Sequence, residues 1–174
     1  MLSRVNVFLI GPMGSGKTAV GRALARALRF TFHDSDAEIE KRTGVDIPFI
    51  FEKEGEAGFR LRERDAIAEL TLLEPIVLAT GGGAILHSEN RQVLAQRGRV
   101  VWLQASIHQQ MERTRHGRHR PLLLNTDPRT RLDELSRERE PLYAEIADVT
   151  VATDGRRVQV VTDDILRALG ETGR

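Results

Sequence analysis

The stretch "IGPMGSGKTAVGR", residues 10–22, gathers four glycines directly after an apolar run and limits the chain to few folds. Upstream, Val5 and Val7–Ile10 read as a short strand buried on both faces of a parallel sheet. Downstream, Ala19, Leu24, Ala25 and Leu28 recur at helical spacing, so the glycines occupy a strand-to-helix turn. That is the setting of a phosphate-binding loop. The pattern G-x-x-x-x-G-K-[ST] is filled by Gly11, Gly16, Lys17 and Thr18, with Gly14 as an additional glycine. Without side chains at Gly14 and Gly16, their amides and that of Ser15 can crowd around a polyphosphate at the positive end of the following helix. Lys17 is placed to reach the β- and γ-phosphates and the Thr18 hydroxyl to ligate Mg²⁺. A chance match in a glycine-rich turn would not need these flanks, and the chain is expected to bind a nucleoside triphosphate.

With 174 residues the chain has the size of one domain, 1–174, with one substantial core. Its 26 basic and 25 acidic residues leave a net charge of +1, which argues against a general nucleic-acid binder. Anion recognition must therefore be local. There is no cysteine, hence no disulfide or thiolate metal site, which suits a reducing compartment. No membrane-spanning run or leader pattern is visible, so the expected location is the cytoplasm.

Further apolar runs lie at "FTFH" (30–33), "IVLA" (76–79), "VVWL" (100–103) and "VTVA" (149–152), with helical patterns between them. Five strands in a parallel sheet, with helices on both faces, are expected. Trp102 belongs to the core of the fourth strand. In such sheets ligands bind beyond the C-terminal strand ends, so residues 44–62 and "ERTRHGRHR" (112–120) could both cover the phosphate site, although charge alone would make the latter a solvated loop. After the second strand, "HDSDAEIEKRTG" places Asp34 and Asp36 on one side of an extended segment near a bound Mg²⁺. The same stretch reads as a capping box with Ser35 as the cap and Glu38 three residues on. The triple glycine of "LATGGGAI" (78–85) points to a close approach of backbone to ligand.

Six segments, "GPMGSGKT", the "DSD" pair, "GEAGFR" (55–60), "TGGG" (80–83), "RPLL" (120–123) and "REPLY" (139–143), resemble in order and spacing the motifs of the shikimate kinase family. The resemblance runs from about residue 6 to residue 167. It implies a three-layer P-loop fold with sheet order 2-3-1-4-5, and transfer of the ATP γ-phosphoryl group to the 3-hydroxyl of shikimate, on the route to chorismate and the aromatic amino acids. It further implies that Asp34 orders Mg²⁺ through water, and that Asp36 holds the acceptor hydroxyls and serves as the base. Arg60 and Arg139 match arginines that bind the shikimate carboxylate, and Gly81, Gly82 and Gly83 supply backbone contacts to the acceptor. Arg120 matches a lid arginine on the transferring phosphate, Arg113 lies over the adenine, and Ile47, Phe51 and Phe59 wall the acceptor pocket. The acceptor segment is 36–62 and the lid 114–125, the latter expected to be mobile until substrates close it.

The chemistry agrees with this casting, because a cyclic carboxylate with hydroxyls needs a guanidinium fork, an acceptor carboxylate and an apolar wall. On its local residues, "DELSRERE", Arg139 would instead sit on a solvated helix laced with ion pairs. Its register with "PLY" is what moves it into the site. The segment "ATDGRRVQVV" departs from the family in lacking a proline near Val158, and Gly58 inside a helix, His116 and His119 have no assigned role. A gluconate kinase or a nucleoside-monophosphate kinase shares the loop but not the other motifs, and a nucleotide-dependent switch would not need Asp36, Arg60 and Arg139. The chain is expected to work as a monomer, with ATP and shikimate as its small-molecule partners.

Overall fold

The computed structural model describes residues 5–115, 121–123 and 126–171. Five strands, β1 (Asn6–Ile10), β2 (Thr31–Asp34), β3 (Ile76–Ala79), β4 (Gly98–Gln104) and β5 (Val149–Ala152), form one parallel sheet in the order β2-β3-β1-β4-β5. The helices are α1 (Lys17–Leu28), α2 (Ser35–Thr43), α3 (Ile47–Leu70), α4 (Ser88–Arg97), α5 (Ile107–Thr114), α6 (Pro128–Ile146) and α7 (Val158–Glu171). The second strand starts one residue later than its apolar run, because the Phe30 N–H donates to Ala25 O and closes the end of α1.

The central strand shows why its run is apolar throughout. Val7 and Leu9 face a core shared with α1 and α7, through Val20, Leu24, Val161, Ile165 and Leu169. Phe8 and Ile10 face the opposite core, built with Ile67, Leu94, Trp102 and Tyr143 from α3, α4, β4 and α6. Both faces of the strand are buried, so alternation disappears. A smaller cluster of Ile39, Ile50, Phe59 and Ala66 joins α2 to α3. No helix among the described residues is long and apolar enough to cross a membrane.

This topology places the turns after β1, β2 and β3 side by side at the C-terminal edge of the sheet, with β1 reversing the strand order between β3 and β4. The opposite edge is tied down by Asn6, which is 1% exposed. Its Nδ2 donates to Leu73 O (2.8 Å) and Thr71 O (3.4 Å), and its Oδ1 accepts the Ile76 N–H (2.9 Å). Arg97 Nη1 donates to Ala68 O and to Thr71 Oγ1, both at 2.9 Å, and holds the end of α3 in the same place. The chain entering β3 is thereby fixed against β1. Replacing Asn6 with Leu leaves buried backbone groups unsatisfied and should cost about 1–3 kcal/mol. The check is urea unfolding, with a lower midpoint at an unchanged slope.

Candidate active site

The loop between β1 and α1 is closed by its own lysine. Lys17 Nζ donates to the carbonyls of Gly11 (2.7 Å) and Pro12 (2.8 Å), and lies 3.4 Å from Ser15 Oγ. Gly16 caps α1 with φ +88°, a left-handed conformation that favours glycine. Ser15 is fully buried beneath the loop, with its N–H on Pro12 O. A cavity of about 300 Å³ lies over the loop and is lined by Gly14, Gly16, Lys17, Thr18, Asp34, Asp36 and Arg113 among others. Arg113 Nη1 donates to Gly14 O (2.9 Å) and so joins the loop to α5.

Asp34 is the last residue of β2 and the cap of α2, its Oδ1 accepting the N–H groups of Asp36 (2.9 Å) and Ala37 (3.2 Å). The cap is therefore Asp34 and not Ser35, and with Ala37 at the third helical position the expected capping box does not form. The Ser35 hydroxyl is used elsewhere, accepting the Gly81 N–H (3.2 Å) and linking β2 to the turn after β3. Asp36 consequently stands in the first turn of α2 and not in an extended segment, yet both carboxylates still line the nucleotide cavity. The other oxygen of Asp34, Oδ2, takes the Thr18 hydroxyl (3.0 Å). One hydroxyl beside one carboxylate suits Mg²⁺, which draws its remaining ligands from phosphate and water. Among the described residues no group of three or more His, Cys, Asp or Glu could hold a metal ion by itself.

A second cavity, of about 80 Å³, shares Met13, Asp36, Gly81 and Gly82 with the first. Its other walls are Ile47, Phe51 and Phe59, the turn at Gly83, Pro121 and Leu122, and the charged groups of Arg60, Glu63 and Arg139. Phe51 and Phe59 pack with ring centroids 4.9 Å apart, and the Arg60 guanidinium lies 5.3 Å from the Phe59 ring.

Helix α3 reaches this cavity by bending. Gly55 adopts φ +71° and breaks the helical path, so the two arms of α3 pack across the kink. A Cβ on Gly58 would lie 2.5 Å from Glu54 Cβ, and Arg62 holds the Glu54 carboxylate with two bonds of 2.7 and 2.8 Å. Gly58 is thus required for contact across the kink. On the inward face of the second arm, Arg60 Nη1 meets Glu63 Oε1 at 2.8 Å, and Nη2 reaches Glu56 at 3.4 Å. Burial pulls the Arg60 pKa down, but Glu63 and Glu56 outweigh it and the net direction is up. Glu63 is fully buried, and burial pushes its carboxyl up while Arg60 pulls part of the way back.

Arg139 differs. It is 3% exposed and makes no ion pair among the described residues. Burial holds its pKa below the ordinary guanidinium value, with only partial relief from Tyr143. The solvated-helix reading of "DELSRERE" does not hold for this residue. Leu132, Leu135, Arg139 and Tyr143 form the buried stripe of α6 at spacings of three and four. Burial pushes the Tyr143 phenol upward, and its hydroxyl donates to Gly82 O (2.5 Å).

The triple glycine follows from these side chains. A Cβ on Gly83 would fall 2.3 Å from Arg60 Nη2, and one on Gly81 2.7 Å from Glu63 Oε2 and 2.9 Å from Asp36 Oδ1. Bare backbone lets the charged groups converge. The structure therefore brings together Gly14, Gly16, Lys17, Thr18, Asp34 and Arg113 around one cavity, and Asp36, Arg60, Gly81, Gly82, Gly83 and Arg139 around the next. Arg120 lies outside the described residues, as do Arg118, His116 and His119 and most of the proposed lid at 114–125. Glu63 and Tyr143 were not singled out from sequence. Both sit at inward positions of otherwise apolar stripes, a signal that period counting could have found.

Comparison with known proteins agrees with this geometry. A family model described as shikimate kinase matches residues 13–170. A shikimate kinase of Methylococcus capsulatus is 56% identical over 99% of this chain and 97% of its own. A solved structure of an Acinetobacter baumannii shikimate kinase in complex with shikimate is 46% identical, with a TM-score of 0.96 over 98% of this chain and 96% of that one. A gluconokinase structure from Sinorhizobium meliloti shares the fold at 20% identity, with a TM-score of 0.65 over 97% of this chain and 93% of that one. With a family match across most of its length and a near-complete superposition on a member's structure, the chain belongs to the shikimate kinase family.

Proposed function

We propose that the two adjoining cavities divide between them the reaction of this family, transfer of the γ-phosphoryl group of ATP to the 3-hydroxyl of shikimate, giving shikimate 3-phosphate and ADP. The observation that carries the assignment of roles is the position of Asp36. It lines both cavities, between the phosphate loop and the two buried arginines.

On this reading the amides of Gly14, Ser15 and Gly16 and the start of α1 cradle the phosphates, and Lys17 turns from the loop carbonyls onto the β- and γ-phosphates. Thr18 and Asp34 would hold Mg²⁺, which would supply positive charge against the phosphates during transfer. Arg60 and Arg139 grip the acceptor carboxylate, while Ile47, Phe51 and Phe59 fix the ring plane. Asp36 accepts the proton of the 3-hydroxyl as that oxygen bonds to the γ-phosphorus and the bond to the β-phosphate oxygen breaks, releasing ADP. Glu63 holds the Arg60 fork in register, and Tyr143 anchors the Gly82 carbonyl beneath the acceptor. Arg113 covers the adenine, and Asp154, which accepts the Ser106 N–H (2.9 Å), steadies the neighbouring loop.

Arg120 is proposed, on its sequence match, to act from a lid over the transferring phosphate. Its neighbours Pro121 and Leu122 line the acceptor cavity, which supports a position close to the chemistry. The working unit is read as a monomer formed by one domain over 1–174. The absence of cysteine suits the cytoplasm.

Two outcomes test these roles. Lys17→Met should abolish turnover without altering the circular dichroism spectrum, and chelation of Mg²⁺ should do the same to the unaltered chain. Retention of near-normal rates by the variant would remove the phosphate assignment. Arg139→Met should weaken shikimate about tenfold to a hundredfold, the loss expected for a charge-assisted bond of about 1.5–3 kcal/mol, with ATP binding unchanged. Because it removes a buried charge with no ion-pair partner among the described residues, the same variant should melt at a higher temperature than the parent chain without substrates. Calorimetry and thermal unfolding read the two effects, and a lower melting temperature would contradict the electrostatic part.

A further inference from the structure

A third cavity, of about 170 Å³, lies outside both parts of the active site. It is bounded by Pro12 and Met13 of the phosphate loop, the C-terminal end of β4 and the buried stripe of α6. Trp102, Leu132, Leu135 and Tyr143 give it an apolar and aromatic wall, and Gln104, Ser106, Gln110 and Ser136 line it as well. Engineered apolar cavities of about 150 Å³ take up benzene, so this space suits one six-membered ring.

Its one buried cation is Arg139, which lines this cavity as well as the acceptor cavity. The guanidinium thus stands in the partition between them. On the acceptor side its Nη1 lies 3.4 Å from where a Cβ of Gly82 would be. Among the described residues the only carboxylate on the third cavity is Glu140, which is exposed and paired loosely with the Ser136 hydroxyl at 3.4 Å. Met13 also borders all three cavities.

We propose that this cavity is a regulatory site for a small, flat ring bearing one carboxylate, which lies between Trp102 and Leu135 and meets Arg139 from the side opposite the acceptor. The apolar wall favours the face of a flat aromatic ring over a puckered ring with several hydroxyls, which would be desolvated where they meet it. One guanidinium then faces two carboxylates, so each ligand weakens the other, which is negative coupling through a shared cation. The proposal rests on the assignment of the acceptor carboxylate to Arg139, but binding at the cavity is measurable without the acceptor.

Benzoate is the probe, and Trp102, the only tryptophan of the chain, is the reporter. Without shikimate, benzoate should change Trp102 fluorescence saturably. In steady-state assays it should raise the shikimate KM by about fivefold or more at saturation, with the ATP KM unchanged. Leu135→Phe fills the ring space, and should abolish both effects while leaving turnover and the shikimate KM as they were. Should that variant fold poorly, Ser136→Leu narrows the same cavity from its partly exposed side and should give the same result. Arg60→Ala, which touches only the acceptor cavity, should weaken shikimate and leave benzoate binding intact. Inhibition that survives in both filled variants and is lost in Arg60→Ala would place benzoate in the acceptor cavity and overturn the proposal. A fluorescence signal that never saturates would mean that the cavity holds water only, with the same consequence.

Discussion

A guanidinium buried on the inward stripe of α6, with no ion-pair partner among the described residues, is the constraint around which the rest of this structure is arranged. A lone buried charge costs several kcal/mol unless something compensates it. Two arginines line the acceptor cavity, and the fold treats them differently. Arg60 is compensated by Glu63 within its own helix, which positions its fork, whereas Arg139 has no such partner among the described residues and, in the proposed function, is compensated by the acceptor carboxylate. The charged groups lining the cavity, Asp36 and Glu63 against Arg60 and Arg139, balance in number, but Arg139 makes no ion pair among the described residues, and a carboxylate entering beside it relieves an existing cost. This is preorganisation in electrostatic form: the desolvation that binding would otherwise require has already been met by the fold.

The sheet converts that local arrangement into a reaction geometry. Turns after three adjacent strands meet at one edge, and cross-links hold them in register. Thr18 reaches Asp34 from the phosphate loop, Ser35 takes the Gly81 amide, and Tyr143 takes the Gly82 carbonyl. The first two links join phosphate loop, metal-side carboxylate and glycine turn, and the third ties that turn to the helix carrying Arg139. Asp36, in the first turn of α2, is thereby set between the two cavities without support from a long loop. Core packing on both faces of β1 keeps the edge rigid, so the tolerances of the site are those of the strands.

Much of this was legible from residue order alone, because the strongest local signals coincide with the sheet. The five apolar runs are strands, and the glycine-lysine turn lies where its flanks required. The failures have a common physical origin. Ser35 and Asp34 are both good caps, and only the tertiary demand of the Gly81 amide decides which oxygen turns inward. Its neighbours in "SRERE" alone would leave Arg139 on the surface, and the family register rather than local pattern placed it in the site, yet its spacing from Leu135 and Tyr143 already puts it on the buried face. Glu63 carries the same signature in α3, between Phe59 and Ala66. A charged residue at an apolar position of a helical stripe is the mark of a buried functional charge, and composition windows average it away. Gly58 was opaque for another reason: its necessity arises only once Gly55 bends the helix and brings Glu54 against it.

The account stands most directly on the claim that Arg60 and Arg139 are organised for a negative carboxylate. Calorimetric titration of shikimate and of its neutral carboxamide into the same chain tests it without altering the protein. The two ligands have nearly the same shape and hydroxyls, and differ in the charge presented to the arginine pair. Loss of two charge-assisted bonds predicts that the carboxamide binds at least about a hundredfold more weakly. Equal affinity for the acid and the amide would contradict the account, and would mean that the acceptor is held by its hydroxyls and ring while the buried arginines serve the fold alone.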